Sequence, residues 1–154
     1  MVEIVAPEDT AALAEAGRLL HDFNVEYDEP TPSPADLATR LAELVTRDHV
    51  TVLLARDADE PVGVAVVRLQ PSIWSQGHEA YLAELYVVPA HRGQGHGRAL
   101  ITKALQHAHD RGADYAHVIT SEDDHAAQRL YAAAGFRRTE GNGGPLMLAY
   151  ERDL

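Results

Sequence analysis

The apolar positions of this chain change period repeatedly, and each change marks a candidate element. "VEIVAP" alternates briefly and stops at Pro7, which predicts a short first strand. Glu8 and Asp9 suit a helix N-terminus, and Leu13, Ala16, Leu20 and Phe23 then recur at helical spacing to near Asn24. "EYDEPTPSP" breaks the pattern as a proline-rich loop. Ser33 is placed to cap a second helix, with Pro34 at its first position, Asp36 at the capping-box position, and Leu37, Leu41, Leu44 and Val45 on one face.

From there the period falls towards two. "HVTVLLAR" and "PVGVAVVRLQP" are aliphatic and β-branched and are joined by "DADE", which predicts a hairpin. "SIWSQGH" is a longer loop, and "EAYLAELYVV" a strand ended by Pro89. Beyond the glycines of "HRGQGHG", the residues Leu100, Ile101, Ala104, Leu105 and Ala108 trace a helix closed by Gly112. "DYAHVIT" is the next strand. Ser121 and Asp124 read as a capping box for a helix carrying Ala127, Leu130, Tyr131 and Ala134, stopped by Gly135. "FRRTE" and "PLMLAYER" read as a closing strand pair around "GNGG". The order β-α-α-β-β-β-α-β-α-β-β predicts an α/β (α+β) fold, a mixed sheet with helices on both faces.

Composition narrows the setting. A chain of 154 residues, 45% hydrophobic, fits one domain, here 1–154. No apolar run approaches the ~20 residues of a membrane helix, and the N-terminus lacks a signal layout, so a soluble, cytoplasmic protein is expected. The absence of cysteine excludes disulfides and a cysteine acyl-enzyme. A net charge of −11 argues against nucleic acid and favours cationic small molecules or basic tails. His107 and His109 face different sides of a helix while His91 and His96 flank the glycines, so no metal site is expected.

The chemistry begins at "HRGQGHG". Counting from Gly93, the sixth position is Arg98, which breaks the dinucleotide fingerprint; Thr102 precedes Lys103, which breaks the P-loop. What remains is a strand, Pro89, then Arg92, Gly95 and Gly97 immediately before a helix. Bare amides at a helix N-terminus suit an anion such as a diphosphate. Arg92, Arg98, Lys103 and Arg111 against Asp110 make a local basic island in an acidic protein. Glu84 is the second anomaly: within "YLAELYVV" a buried carboxylate either carries a desolvation cost or holds its proton, unless it faces a solvated edge or an arginine.

"LYVVPAHRGQGHGRAL" resembles the Arg/Gln-x-x-Gly-x-Gly/Ala signature of the GCN5-related N-acetyltransferase (GNAT) family, and "DDHAAQRLYAAAGFRR" is similar to the family's Asn-x-x-Ala-x-x-Leu-Tyr-x-x-x-Gly-Phe segment. The resemblance covers essentially the whole chain. It implies a mostly antiparallel sheet of six to seven strands with four helices, splayed at the cofactor site, and acetyl-coenzyme A as acyl donor without a metal. It assigns the diphosphate to Arg92, Gly93, Gln94, Gly95, His96, Gly97 and Arg98, and the pantetheine arm to Tyr86, Val87 and Val88. The Val87 amide would meet the developing oxyanion. Glu84 becomes the general base that neutralises the attacking amine, often through water, and Tyr131 the general acid at the departing thiolate and a cofactor neighbour.

Asp124 stands where the family commonly has Asn; ionised, it accepts but does not donate, and helix capping also accounts for it. The first interhelical region helps wall the acceptor site in this family. Phe23, Glu26, Tyr27 and Asp28, with Trp74, would there receive a cationic amine. The function so implied is acetyl transfer to a primary amine by direct attack in a ternary complex. A catalytically silent acyl-coenzyme A sensor and a peptide or protein N-acetyltransferase are the alternatives, and a homodimer follows by family analogy alone.

Overall fold

Asp9 opens the first helix: its carboxylate accepts from the Ala12 amide at 2.9 Å, and α1 runs Thr10–Glu26. A computed structural model of the chain describes residues 1–47 and 49–154, which form two compact units, Met1–Val118 and Ile119–Leu154. In the first unit Ser33 Oγ accepts from the Asp36 amide at 3.1 Å and Pro34 fills the first position of α2, Pro34–Thr46. The predicted strands follow as β1 (Val2–Ile4), β2 (Val50–Asp57), β3 (Glu60–Pro71), β4 (His78–Val87) and β5 (Ala113–Val118). A 3-10 turn, Pro89–His91, and α3, His96–Asp110, connect β4 to β5.

The sheet order is β1-β2-β3-β4-β5. Neighbours are antiparallel except β4 and β5, which run parallel because α3 carries the chain back across the sheet. One face, through Val52, Leu54, Val64, Val66 and Tyr86, packs on Leu13, Ala16, Leu19 and Leu20 of α1 and on Leu41 and Val45 of α2. The other face meets α3, where Ile101, Ala104 and Ala108 lie over Val67, Ala80 and Leu82. Helices on both faces of a mixed sheet are the predicted α/β arrangement. Among the described residues no helix is long and apolar enough to cross a membrane.

Contact between α1 and α2 depends on one missing side chain. A Cβ on Gly17 would lie 2.6 Å from the Pro34 carbonyl oxygen and 2.9 Å from the Ala38 nitrogen, both rigid backbone. Gly17→Ala is therefore expected to destabilise the fold by about 1–3 kcal/mol, although alanine is the better helix former. Urea unfolding checks this, and a midpoint unchanged from wild type would contradict the close packing.

The strand count departs from expectation. The sheet has five strands, not six or seven, because the C-terminal pair reduces to one bridge, Thr139↔Leu146. Two backbone bonds flank it, Glu140 N to Pro145 O and Met147 N to Arg138 O, both 2.9 Å. Leu146, Leu148 and Tyr150 are exposed there, and a lone hairpin with no buried face cannot extend its ladder. The cap of α4 also differs. The second unit's helix runs His125–Ala133 with Asp124 as its N-cap, the carboxylate accepting from the Ala127 amide at 2.9 Å. Ser121 does not cap; its carbonyl instead accepts from Asp124 N and from Gln128 Nε2.

Candidate active site

The site begins with an irregularity in β4. Val66 pairs with Glu84 but Val67 pairs with Leu82, so Ala83 has no opposite number on β3. Such a bulge reverses the alternation. Leu82 and Ala80 stand with Val67 on the face of α3, whereas Glu84 and Tyr86 stand with Val66 and Val64 on the face of α1 and α2. The β4–β5 ladder ends near the same place, at Leu82↔Val118. Beyond it, the outer edge of β4 over residues 83–87 has no strand partner among the described residues, which is the divergence the family resemblance implies.

Glu84 lies on that half of β4. Its side chain is partly buried, and burial pushes its carboxyl above the usual carboxylate range, opposed by the charge of Arg68. Both readings of the sequence thus hold in part: the carboxylate is desolvated, and an arginine stands near. Arg68 was not legible in advance, because only the β3–β4 register puts Arg68, opposite Tyr81, on the face of Glu84.

Tyr86, buried at 6% exposure, stacks on Phe23 with ring centroids 5.2 Å apart. Phe23 in turn meets Tyr27 edge-on at 5.4 Å. Desolvation first, and then a hydrogen bond to the Glu26 carboxylate, push the Tyr86 phenol up to about 12. Arg92 closes the cluster. Its Nη2 donates to Glu26 Oε2 at 2.8 Å, its Nε donates to the Val87 carbonyl at 2.9 Å, and its guanidinium carbon lies 5.7 Å from the centre of the Tyr86 ring. The structure therefore joins residues that the sequence assigned to two purposes: Arg92 and Tyr86 to the donor, Phe23, Glu26 and Tyr27 to the acceptor. Asp28 follows at the end of α1 with φ +54°. Trp74 lies apart in the β3–β4 connection, 86% exposed, its amide bonded to Ser72 Oγ at 3.1 Å.

The glycine loop follows Arg92 directly. Gly93 and Gly95 have φ of +75° and +92°, and a Cβ on either would meet nothing within 4 Å. Gly95 is the N-cap of α3 and, having no side chain, leaves the amides of the first turn without a side-chain cap. Gln94 is held by its Nε2 on the Ala90 carbonyl at 3.1 Å, Val88 N bonds Val62 O at 2.9 Å, and Arg98 is exposed. His96 and Gly97 begin the helix. The result is an uncovered row of donors at a positive helix end, which fits a phosphate group.

In the second unit Tyr131 lies on α4, its ring 6.0 Å from Phe136 and its carbonyl accepting from the Phe136 amide. The Asp124 carboxylate is engaged by the Ala127 amide.

Comparison with known proteins agrees with this arrangement. The family model described as the acetyltransferase (GNAT) family matches residues 16–136. An N-acetyltransferase of Archaeoglobus fulgidus is 35% identical over 101 residues, 65% of this chain and 69% of that protein. The thialysine N-ε-acetyltransferase of Bos taurus is 34% identical over 83 residues, 53% of this chain and 48% of that protein. A crystal structure of an acetyltransferase-class protein from Arthrobacter sp. FB24 superposes with a TM-score of 0.87 at 39% identity, covering 100% of this chain and 96% of that one. With the bulged and half-paired β4, the bare glycine turn and a family match over most of the chain, this chain belongs to the GNAT acetyltransferase family.

Proposed function

We propose that this protein transfers an acetyl group from acetyl-coenzyme A to a primary amine by direct attack in a ternary complex, and that the acceptor is a small cationic amine. The observation that carries the reading is the sequence of features along one stretch of chain. A half-buried Glu84 stands on the unpaired half of β4, and nine residues later the Gly93–Gly95 turn begins and presents uncapped amides.

The bound donor would supply an activated thioester. The chain's own residues do the rest. The amides from Gly93 to Arg98 hold the diphosphate, and Tyr86, Val87 and Val88 line the extended arm, with Val87 the residue whose backbone faces the free edge of β4. An amine is mostly protonated at neutral pH, its pKa being about 10, and Glu84 takes that proton directly or through water. A desolvated carboxyl is the stronger base for it. The motif "RLYAAAGF" gives Tyr131 the role of proton donor to the departing thiolate.

The acceptor class rests on charge and rings. Phe23, Tyr27, Glu26 and Asp28 stand together at the end of α1 in a protein of net charge −11. The thialysine acetyltransferase among its relatives is named for a lysine-like amine.

Thiol release from acetyl-coenzyme A across a panel of polyamines, aminoglycosides, lysine analogues and peptides tests the reading. Turnover with small cationic amines is expected. Donor binding without turnover on any acceptor would favour a sensor, and turnover on peptides alone would overturn the acceptor class. Asp28→Ala is expected to raise the KM of the preferred amine about tenfold, the loss of a charge-assisted contact of about 1.5 kcal/mol. An unchanged KM removes Asp28 from the site.

A further inference from the structure

The sequence reading expects no metal site, yet the fold gathers three ligand-bearing side chains beside the glycine loop. Asp57 ends β2, His91 closes the 3-10 turn and His96 opens α3. One potential ligand atom from each lies within 4.8 Å of the others. We propose that Asp57, His91 and His96 form a binding site for a divalent transition-metal ion of the zinc, cobalt or nickel class.

Three observations support the site. Ligands bonded to zinc at about 2.0–2.1 Å in a tetrahedron are about 3.4 Å from one another. His91 Nδ1 and Asp57 Oδ2 are already 3.4 Å apart. His91 Nδ1 is also shielded from solvent without a hydrogen-bond partner, the distance to Asp57 notwithstanding. A buried nitrogen without a partner carries a desolvation cost, and a metal bond would relieve it. The His91 and His96 rings, 6.1 Å apart and inclined at 60°, are not stacked face to face, and each offers a ring nitrogen within 4.8 Å of the other and of an Asp57 carboxylate oxygen.

Two imidazoles and one carboxylate are a borderline donor set, suited to zinc and its neighbours and poorly suited to magnesium or calcium, which prefer oxygen. Three protein ligands leave a fourth position for water or an anion. The three residues come from the β2–β3 hairpin, the 3-10 turn and α3, so an ion would tie the start of the glycine loop to the sheet. His96 also contributes its amide to that loop. If the loop binds acetyl-coenzyme A, as proposed above, metal and donor affinities are thermodynamically linked, each changing the other by the same factor.

The test uses the full chain without an affinity tag, titrated with Co²⁺ and followed by the visible absorption of four-coordinate cobalt, with Zn²⁺ titrated by calorimetry. One equivalent is expected to bind. Asp57→Asn and His91→Gln should each weaken binding at least ~10-fold. Asp57 is 53% exposed, so Asp57→Asn decides the matter should His91→Gln fail to fold as judged by circular dichroism. Absence of one-to-one binding overturns the proposal. So does binding unchanged in Asp57→Asn, which would assign the ion to other surface groups among the nine histidines. A cobalt spectrum lost in Asp57→Asn, alongside a wild type that binds no acetyl-coenzyme A, would uphold the metal site and reject the donor reading.

Discussion

Replacing Glu84 by Gln is expected to lower kcat about 10²- to 10⁴-fold, the usual worth of a positioned general base, with little change in donor affinity. The pH profile separates this role from a structural one. In wild type, kcat/KM for the amine should rise as Glu84 loses its proton, at a pH above the ordinary carboxylate range because burial raises its pKa. Glu84→Gln should lose that limb. Stability should move the other way. A carboxyl whose folded pKa is raised binds protons more tightly folded than unfolded, so wild-type stability falls as pH rises from the ordinary carboxylate range through the raised value. Glu84→Gln carries no such penalty. Its melting temperature should match wild type in acid and exceed it at neutral pH. Full activity in Glu84→Gln would remove Glu84 from the chemistry, and a melting difference independent of pH would contradict its desolvation.

Gly95→Val should raise the KM for acetyl-coenzyme A roughly 10- to 100-fold, or about 1.4–2.8 kcal/mol of lost donor binding. Two effects combine. Residue 95 has φ +92°, which costs a non-glycine residue about 1–2 kcal/mol and suits a β-branched one least. A side chain there would meet no protein atom within 4 Å, so it would stand in the open space before the α3 amides, where the diphosphate is proposed to lie. Gly95→Asn distinguishes strain from obstruction, because Asn tolerates positive φ. It should recover most of the stability lost in Gly95→Val while keeping the raised KM. A normal KM in both variants would show that the loop does not hold the donor.

Periodicity carries far in this chain where elements are long and locally determined. α1, α2 and α3 were legible from their apolar spacing, and the caps Asp9 and Ser33 from residue type, because capping is a contact over three residues. The glycine turn was legible for the same reason: positive φ at Gly93 and Gly95 is a local requirement. Local reasoning failed at the start of α4, where Asp124 is the first residue of its motif that can reach the Ala127 amide, and Ser121 lies a turn too early. It failed again at the C-terminus. The alternation of "PLMLAYER" resembles a strand, but a ladder needs a partner beyond its own turn, and the pairing ends at Thr139 and Leu146.

The site divides along the same line. By itself the sequence determined the helices, the bare amides at the head of α3 and the anomalous carboxylate at position 84, all consequences of residue type within a few positions. Only tertiary structure decided that Ala83 bulges out and turns Glu84 to the face of Arg68, and that Arg92 spends its guanidinium on Glu26 and Tyr86. The approach of Asp57 to His91 and His96 was likewise a tertiary matter. Those pairs are separated by 16, 66 and 34 residues, and a sequence pattern records what each residue prefers, while strand register and helix packing choose which distant residue it meets.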